Sequence, residues 1–571
     1  MMSSYDGSAA YDASRRSKKR IVIIAVSSVA LLALVITVFV LASRGHRNYE
    51  IDGVDLANMR SDENKMAIMA VCNGTVYPDS CYSSLSQLSN DTELHPVKVY
   101  QASLWYAMNQ VLIASKKLNE LKEANQNDSR FVGALDVCGQ LLLLTHNKLK
   151  ESTTSTDLSS AQVVGDFKTW LSASITYQDM CLEGFTNATI DQKRQVTGIL
   201  SNSTELSSNS LAILTQIYKM FGYMKLKRKL LSSDADPGGS LPSWVSGNIR
   251  KLLQTPSDLK KNANYFVAKD GSGTYTTISD AVEAAPSTTS SSRIIIYVKE
   301  GVYKENVQVL KPNIMIIGDG PLSTIITGNL NVKDGTPTTK TATFAVHGSG
   351  FIAIDICFQN SAGAVKQQAV AMLSNSDKSV FYRCRFDGFQ DTLFTLAQRQ
   401  FYRECDILGT VDFIFGDASV VFQQCNIIPR VPIFGQPDVI TAQGKSDPNE
   451  KTGMSFFQCN VTAFEDLSSV KVYLGRPWRK YSTTVFMKTS LPQFIEPEGW
   501  MPWNVQQTPP STIFYGEFMN TGNGSSIENR VGWNGVRNSL SIEEANLFTV
   551  GSLLGGNNWI PNTGVPFNSA L

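Results

Sequence analysis

An excess of charge of one sign is missing from this chain: 51 Lys and Arg stand against 50 Asp and Glu, a net charge of +1 over 571 residues. A protein that lives on nucleic acid presents a basic face to the phosphates, so nucleic acid is excluded as the main partner. Charge of any kind is sparse, at 18% of residues, and Ser, Thr, Asn and Gly are plentiful, a surface chemistry that suits a secreted protein. Close C-x2-C spacing and neighbouring histidines are also lacking, which leaves a structural metal site without ligands. The nine cysteines therefore point to disulfides in an oxidising compartment, with one thiol left over. At this length a single core is not enough, and two or more domains are expected.

What is there begins with an address. A basic tail (residues 1–20) holding Arg15, Arg16, Lys18, Lys19 and Arg20 precedes an unbroken 22-residue apolar run, Ile21 to Ala42. That run is long enough to cross a bilayer and longer than the apolar segment of a cleaved signal peptide. It reads as a signal anchor that leaves the tail cytosolic and the rest of the chain lumenal, although Arg44 and Arg47 weaken the bias. Asn73, Asn90, Asn127, Asn187, Asn202, Asn460 and Asn523 each open an N-x-[ST] glycosylation tripeptide, consistent with a lumenal chain.

Residues 55–220 are poor in Gly and Pro and carry apolar residues at three and four spacing, as in 97–124, so an all-α four-helix bundle is expected. Cys72 and Cys81 would close a small loop there, and Cys138 and Cys181 would tie two helices. A Ser-, Gly-, Pro- and Asp-rich linker (222–262) follows. It repeats a basic tetrapeptide, Arg228-Lys229-Leu230-Leu231 and Arg250-Lys251-Leu252-Leu253, and exposed basic sites in a linker suit a processing protease.

From 263 to 571 short β-rich runs such as 293–298, 313–317 and 379–383 alternate with Gly, Asn and Asp turns, and helices are few. Cys384, Cys405 and Cys425 recur at a nearly constant step, and Asp391 and Asp412 lie 21 residues apart. One coil per step of an all-β, right-handed parallel β-helix puts such positions roughly 4.8 Å apart. Two carboxyls held that close cannot both ionise comfortably: one keeps its proton as an acid, the other stays charged as nucleophile or base. Gln368, one coil back from Gln390, and Gln390 itself are amide donors suited to an oxyanion. Arg476 offers a bidentate fork for a carboxylate, and Trp478 a flat face for a sugar. Taken singly, each of these residues has an ordinary structural reading as ladder, cap or packing. It is their common spacing that argues for a site.

These residues lie in motifs that resemble those of plant pectin methylesterases (pectinesterases): Gly301–Glu305, Gln368–Met372, Gly388–Leu393, Asp412–Gly416 and Leu474–Trp478, in that order. The resemblance covers roughly residues 260–571. Met372 stands where Leu is usual and Phe389 where Tyr is common, neither a change of chemistry. The helical half resembles, more loosely, the inhibitor-like pro-region that precedes many such enzymes.

The resemblance implies that methyl-esterified homogalacturonan is the substrate. It makes Asp412 the nucleophile on the C6 ester, Gln368 and Gln390 the oxyanion donors, and Asp391 first proton donor and then base. Arg476 orients Asp412 and binds substrate with Gln368 and Trp478, and no metal or cofactor is required. It further implies disulfides Cys357–Cys384 and Cys425–Cys459, with Cys405 able to compete for Cys425. The implied life history is a membrane-tethered precursor, a protease cut at the tetrapeptides, and an enzyme released to the cell wall, where an inhibitor protein is a possible partner. Two other readings stay open from the residues: a β-helical pectate lyase or polygalacturonase, which would want other acidic clusters, and an inert β-helix beside an inhibitory helical module.

Overall fold

The computed structural model describes residues 56–91, 94–185, 188–231, 256–287, 293–504 and 506–571. The basic tail, the apolar run 21–42 and the second Arg-Lys-Leu-Leu tetrapeptide lie outside the described residues. Among the described helices none is long and apolar enough to cross a membrane.

By its internal contacts the chain divides into two units: the described parts of 1–117, 149–164 and 198–236, and those of 118–148, 165–197 and 237–571. The first half of the sequence is helical. Its long helices are Pro96–Ala124, Ser129–Glu151, Ala161–Glu183 and Ile190–Leu231, preceded by Leu56–Asn73 and Pro78–Leu85. Their apolar spacing does what it predicts. Along Ser129–Glu151 the buried residues Phe131, Leu135, Cys138, Leu142, Thr145 and Leu149 fall three or four apart on one stripe. Cys72 is bonded to Cys81, and Cys138 to Cys181, the latter joining helices Ser129–Glu151 and Ala161–Glu183. One expectation changes. The last helix runs on to Leu231, so the first tetrapeptide ends a helix and is not part of an irregular linker. Lys and Arg are good helix formers and are favoured in a last turn, where they meet the helix dipole.

The second half is a stack of parallel strands in three long sheets of eleven, seven and six strands. The chain visits them in rotation: Ser379–Tyr382, Arg385–Asp387 and Leu393–Thr395 make one coil, and Arg399–Arg403, Asp406–Gly409 and Ile414–Gly416 the next. The registers Ser379↔Gln400, Arg385↔Asp406 and Leu393↔Ile414 all carry the same 21-residue offset. Each coil turns from the first sheet to the second through one left-handed residue: Arg383 (φ 51°), Glu404 (φ 52°), Gln424 (φ 55°), Gln458 (φ 56°). The cysteine column is the next position along. Cys384, Cys405, Cys425 and Cys459 follow those corners and point into the core.

Inside, aromatic rings continue the stack. Phe381, Tyr402, Phe422, Phe456 and Phe486 lie face to face with centroids 4.6, 4.8, 4.7 and 4.4 Å apart. The pairings Cys357–Cys384 and Cys425–Cys459 are not formed, and all five of these thiols are buried and unpaired. Cys357 pairs in register with Arg385, one place off the column. Cys425 and Cys459 each precede the in-register pair Asn426↔Asn460, so their side chains point the same way from adjacent coils and not toward each other, as a disulfide needs.

Candidate active site

Asp391 and Asp412 each sit two residues before paired strands, Leu393–Thr395 and Ile414–Gly416, so they occupy equivalent places on successive coils. Both have left-handed backbones, φ 62° and 52°, a conformation that Asp and Asn tolerate better than most side chains. The turns that carry them are tight. A Cβ on Gly388 would come within 2.7 Å of Thr392 Oγ1, and one on Gly409 within 2.1 Å of Phe413 Cβ and 2.7 Å of the Phe389 carbonyl. Only glycine fits the second.

The carboxyls are 7% and 5% exposed. Arg476 grips Asp412 with both prongs: Nε donates to Oδ1 at 2.8 Å and Nη2 to Oδ2 at 2.6 Å. Burial raises the pKa of Asp412 and this guanidinium opposes the rise. Asp391 has no such fork. Burial first, and the charge of Asp412 second, push it well above the usual carboxylate range, with Arg476 pulling weakly the other way. The two carboxyls are thus unequal: Asp412 has an answering cation and Asp391 does not, so Asp391 holds its proton to higher pH.

The two glutamines fall on successive coils. The Ala369 amide donates to the Gln390 carbonyl at 3.2 Å, so Gln368 lies one coil before Gln390, and both glutamines are half-buried. Trp478 closes the other side of the third sheet. Its ring is 6.0 Å from Phe415, which stacks on Phe394 at 4.2 Å. The backbone thus places Gln368, Gln390, Asp391 and Asp412 on turns that lead into strands of the third sheet, and Arg476 and Trp478 on the loop that follows Val472–Tyr473.

Four residues were missed. Phe394 and Phe415 share the 21-residue step of the aspartates and were findable by it. Trp503, whose ring lies 4.4 Å from the Arg476 guanidinium, has no repeat partner to betray it. Asp438 is a third carboxyl, 0% exposed and without a side-chain partner. Burial pushes its pKa well up, the backbone amides of Arg430 and Val439 oppose the rise, and the charge of Asp412 adds to it. Among the described residues no three His, Cys, Asp or Glu side chains cluster as metal ligands.

Comparison with known proteins places these features. Residues 264–557 match the pectinesterase family model, and residues 66–213 match that of the plant invertase/pectin methylesterase inhibitor. An Arabidopsis thaliana pectinesterase/pectinesterase inhibitor, number 24, is 44% identical over 98% of this chain and 97% of its own. Pectinesterase 3 of Phaseolus vulgaris is 42% identical over 88% and 87%. The solved pectin methylesterase from carrot is 48% identical, with a TM-score of 0.52, covering 54% of this chain and 98% of its own.

Proposed function

The chain belongs to the pectinesterase family, carboxylic ester hydrolases of pectin, and from that premise we propose the residue roles and the control of its reaction. In our reading, Asp412 attacks the C6 carbonyl of a methyl-esterified galacturonate, and the oxyanion is held by the Gln368 and Gln390 amides. The tetrahedral species collapses as Asp391 gives its proton to the departing methoxide. Methanol leaves and the galacturonoyl group remains on Asp412 as a mixed anhydride. Asp391, now charged, takes a proton from water, the hydroxide attacks the C6 carbonyl of the anhydride, and Asp412 departs as carboxylate. Arg476 keeps Asp412 ionised and aimed, and Trp478 stacks on sugar. The observation that carries this reading is the unequal pair of buried carboxyls, one forked by arginine and the other not.

The catalytic region (263–571) is, in the same proposal, a right-handed coil restrained by the pro-region (55–220) until the linker (222–262) is cut by a protease. Contacts within the second unit support the restraint. On helix Ala161–Glu183, Thr176 Oγ1 donates to Asp417 at 2.8 Å and Tyr177 Oη to Asn375 at 2.7 Å. Asp179 pairs with Arg479 at 2.9 Å, and Thr176, Asp179 and Met180 line a small cavity with Trp478. We take the precursor to be membrane-anchored and the product to be secreted to the cell wall. The exposure of Asn73, Asn90, Asn127, Asn202, Asn460 and Asn523 is compatible with glycosylation on that route.

Methanol release from highly methylated pectin tests both parts. The chain cut in its linker is expected to release methanol, without new reducing ends or unsaturated products. Asp412→Ala is expected to release none, and the uncut chain to be slower. Full activity of Asp412→Ala would overturn the nucleophile, and full activity of the uncut chain would overturn the restraint.

A further inference from the structure

Arg430 takes no part in the chemistry above, yet its side chain runs along the turns that carry both aspartates. The strands Arg385–Asp387, Asp406–Gly409 and Asn426–Pro429 stack in one sheet, and each leads into a turn on the active-site side. Asp391 lies on the first turn, Asp412 on the second, and Arg430 opens the third. From there the backbone amide of Arg430 donates to the Gly409 carbonyl at 2.8 Å, at the root of the Asp412 turn. Its guanidinium reaches one coil further. Nη1 donates to the Gly388 carbonyl at 3.1 Å and to Asp387 Oδ1 at 2.9 Å. The guanidinium plane lies over Phe389, 4.1 Å from the ring centroid, with Phe464 at 5.1 Å on another side. Phe389 is next to Gln390 and two residues before Asp391. Its own carbonyl accepts from the Thr410 amide at 3.0 Å, which links the first turn to the second.

We propose that Arg430 is a positioning residue that holds the Gly388–Asp391 turn in register over the Asp412 turn, and so sets the placement of the Gln390 amide and the Asp391 carboxyl. The inference rests on the roles given to those two residues above. A single guanidinium meets the backbone, the acidic side chain and the aromatic ring of one turn at once, which neither a lysine nor a neutral side chain reproduces. Such a residue acts on kcat: a displaced oxyanion donor or acid weakens the transition state while leaving distant sugar contacts intact. It also acts on pH dependence. The groups facing Asp391 are Asp412 and Arg476, and both stay in place when Arg430 is changed. A loosened turn therefore moves the Asp391 titration only by letting water reach its carboxyl.

The test compares wild type, Arg430→Met and Arg430→Lys, made as the full chain through a plant secretory pathway, with Asp412→Ala alongside. Arg430→Met is expected to lose ten- to a hundredfold in kcat with KM within about twofold. The basic limb of its kcat/KM profile moves to lower pH, and Arg430→Lys recovers part of the rate. A rate lost equally at every pH, with a matching loss of thermal stability and no recovery in the lysine variant, would reduce Arg430 to a structural residue. Wild-type kcat in Arg430→Met would overturn the proposal outright. If Arg430→Met does not fold, Arg430→Lys decides by the same two readouts, since it keeps the charge and loses the planar contact. Activity surviving in Asp412→Ala would instead count against the site assignment on which the inference rests.

Discussion

Asp412 is nine-tenths buried, and in the proposed mechanism it is Arg476 that keeps it charged. Burial alone costs an ionised carboxylate its hydration, and the two-pronged contact at 2.8 and 2.6 Å returns part of that loss. Arg476→Lys keeps the charge but gives up the fork. Its pKa consequence has one sign: with less support for the charged form, the pKa of Asp412 rises further, and less nucleophile is present at low pH. The acidic limb of kcat/KM for methanol release is therefore expected to move to higher pH, with a fall of roughly ten- to a hundredfold in kcat for the weakened electrostatic support. The basic limb, which reports Asp391, should move far less. An acidic limb left in place would show that Arg476 binds substrate without holding Asp412 ionised. At this scale the sequence was most legible where a residue repeats or sits in a motif, as Asp391, Asp412, Gln368 and Gln390 do. Asp438, Arg430 and Trp503 act from single positions on loops of unequal length, and no period marks them.

A coil of this fold is a set of equivalent positions, and each ladder stabilises as a unit. Phe422 shows the size of the effect, since it is fully buried and stacks on Tyr402 at 4.8 Å and Phe456 at 4.7 Å. Phe422→Ala leaves a ring-sized cavity in a column of flat contacts and is expected to cost about 3–5 kcal/mol. Urea denaturation with a catalytic-region signal measures it. The methanol-release rate per folded molecule should hardly change, because the inner ring touches no residue of the site. A loss below about 1 kcal/mol would mean that the column relaxes to fill the gap. The cysteines that reveal the coil in the sequence stand at nearly equal steps, 21 and 20 residues, only from Cys384 to Cys425. There the chain makes bare coils, whereas the intervals from Cys357 and to Cys459 are longer because loops are inserted. That is why the step fixes the paired aspartates and says nothing of where Asp438 or Trp503 arrives. The helical elements were legible through their apolar spacing. The extension to Leu231 was hidden by the Ser- and Gly-rich composition that begins just after it.

Across the whole molecule, buried carboxyls set how stability responds to pH, and they pull in two directions. Asp377 is gripped by Arg399, which more than offsets its burial and holds its pKa at about 2. It contributes stability that is present above the ordinary carboxylate pKa of about 4 and lost as the pH falls toward 2. Asp438 is the opposite case. Burial raises it, no side chain answers it, and the folded protein keeps its proton after the unfolded chain has released it. Where the folded state binds more protons, stability falls as pH rises. The fall begins near the unfolded value of about 4 and continues until the folded carboxyl itself ionises. Glu450, buried beside Asp447 and also raised, adds to the same slope. Asp438→Asn keeps the shape and removes the titration. Its urea midpoint is accordingly expected to drop less than that of wild type between mildly acidic and neutral pH, with the two proteins closest at the acidic end. The same substitution takes a potential negative charge from the neighbourhood of Asp412. The acidic limb of methanol release should stay where it is, since at that pH Asp438 is already neutral. Parallel urea midpoints for the two proteins across that range would mean that Asp438 is ionised in the fold and finds an answering charge that its buried position does not provide.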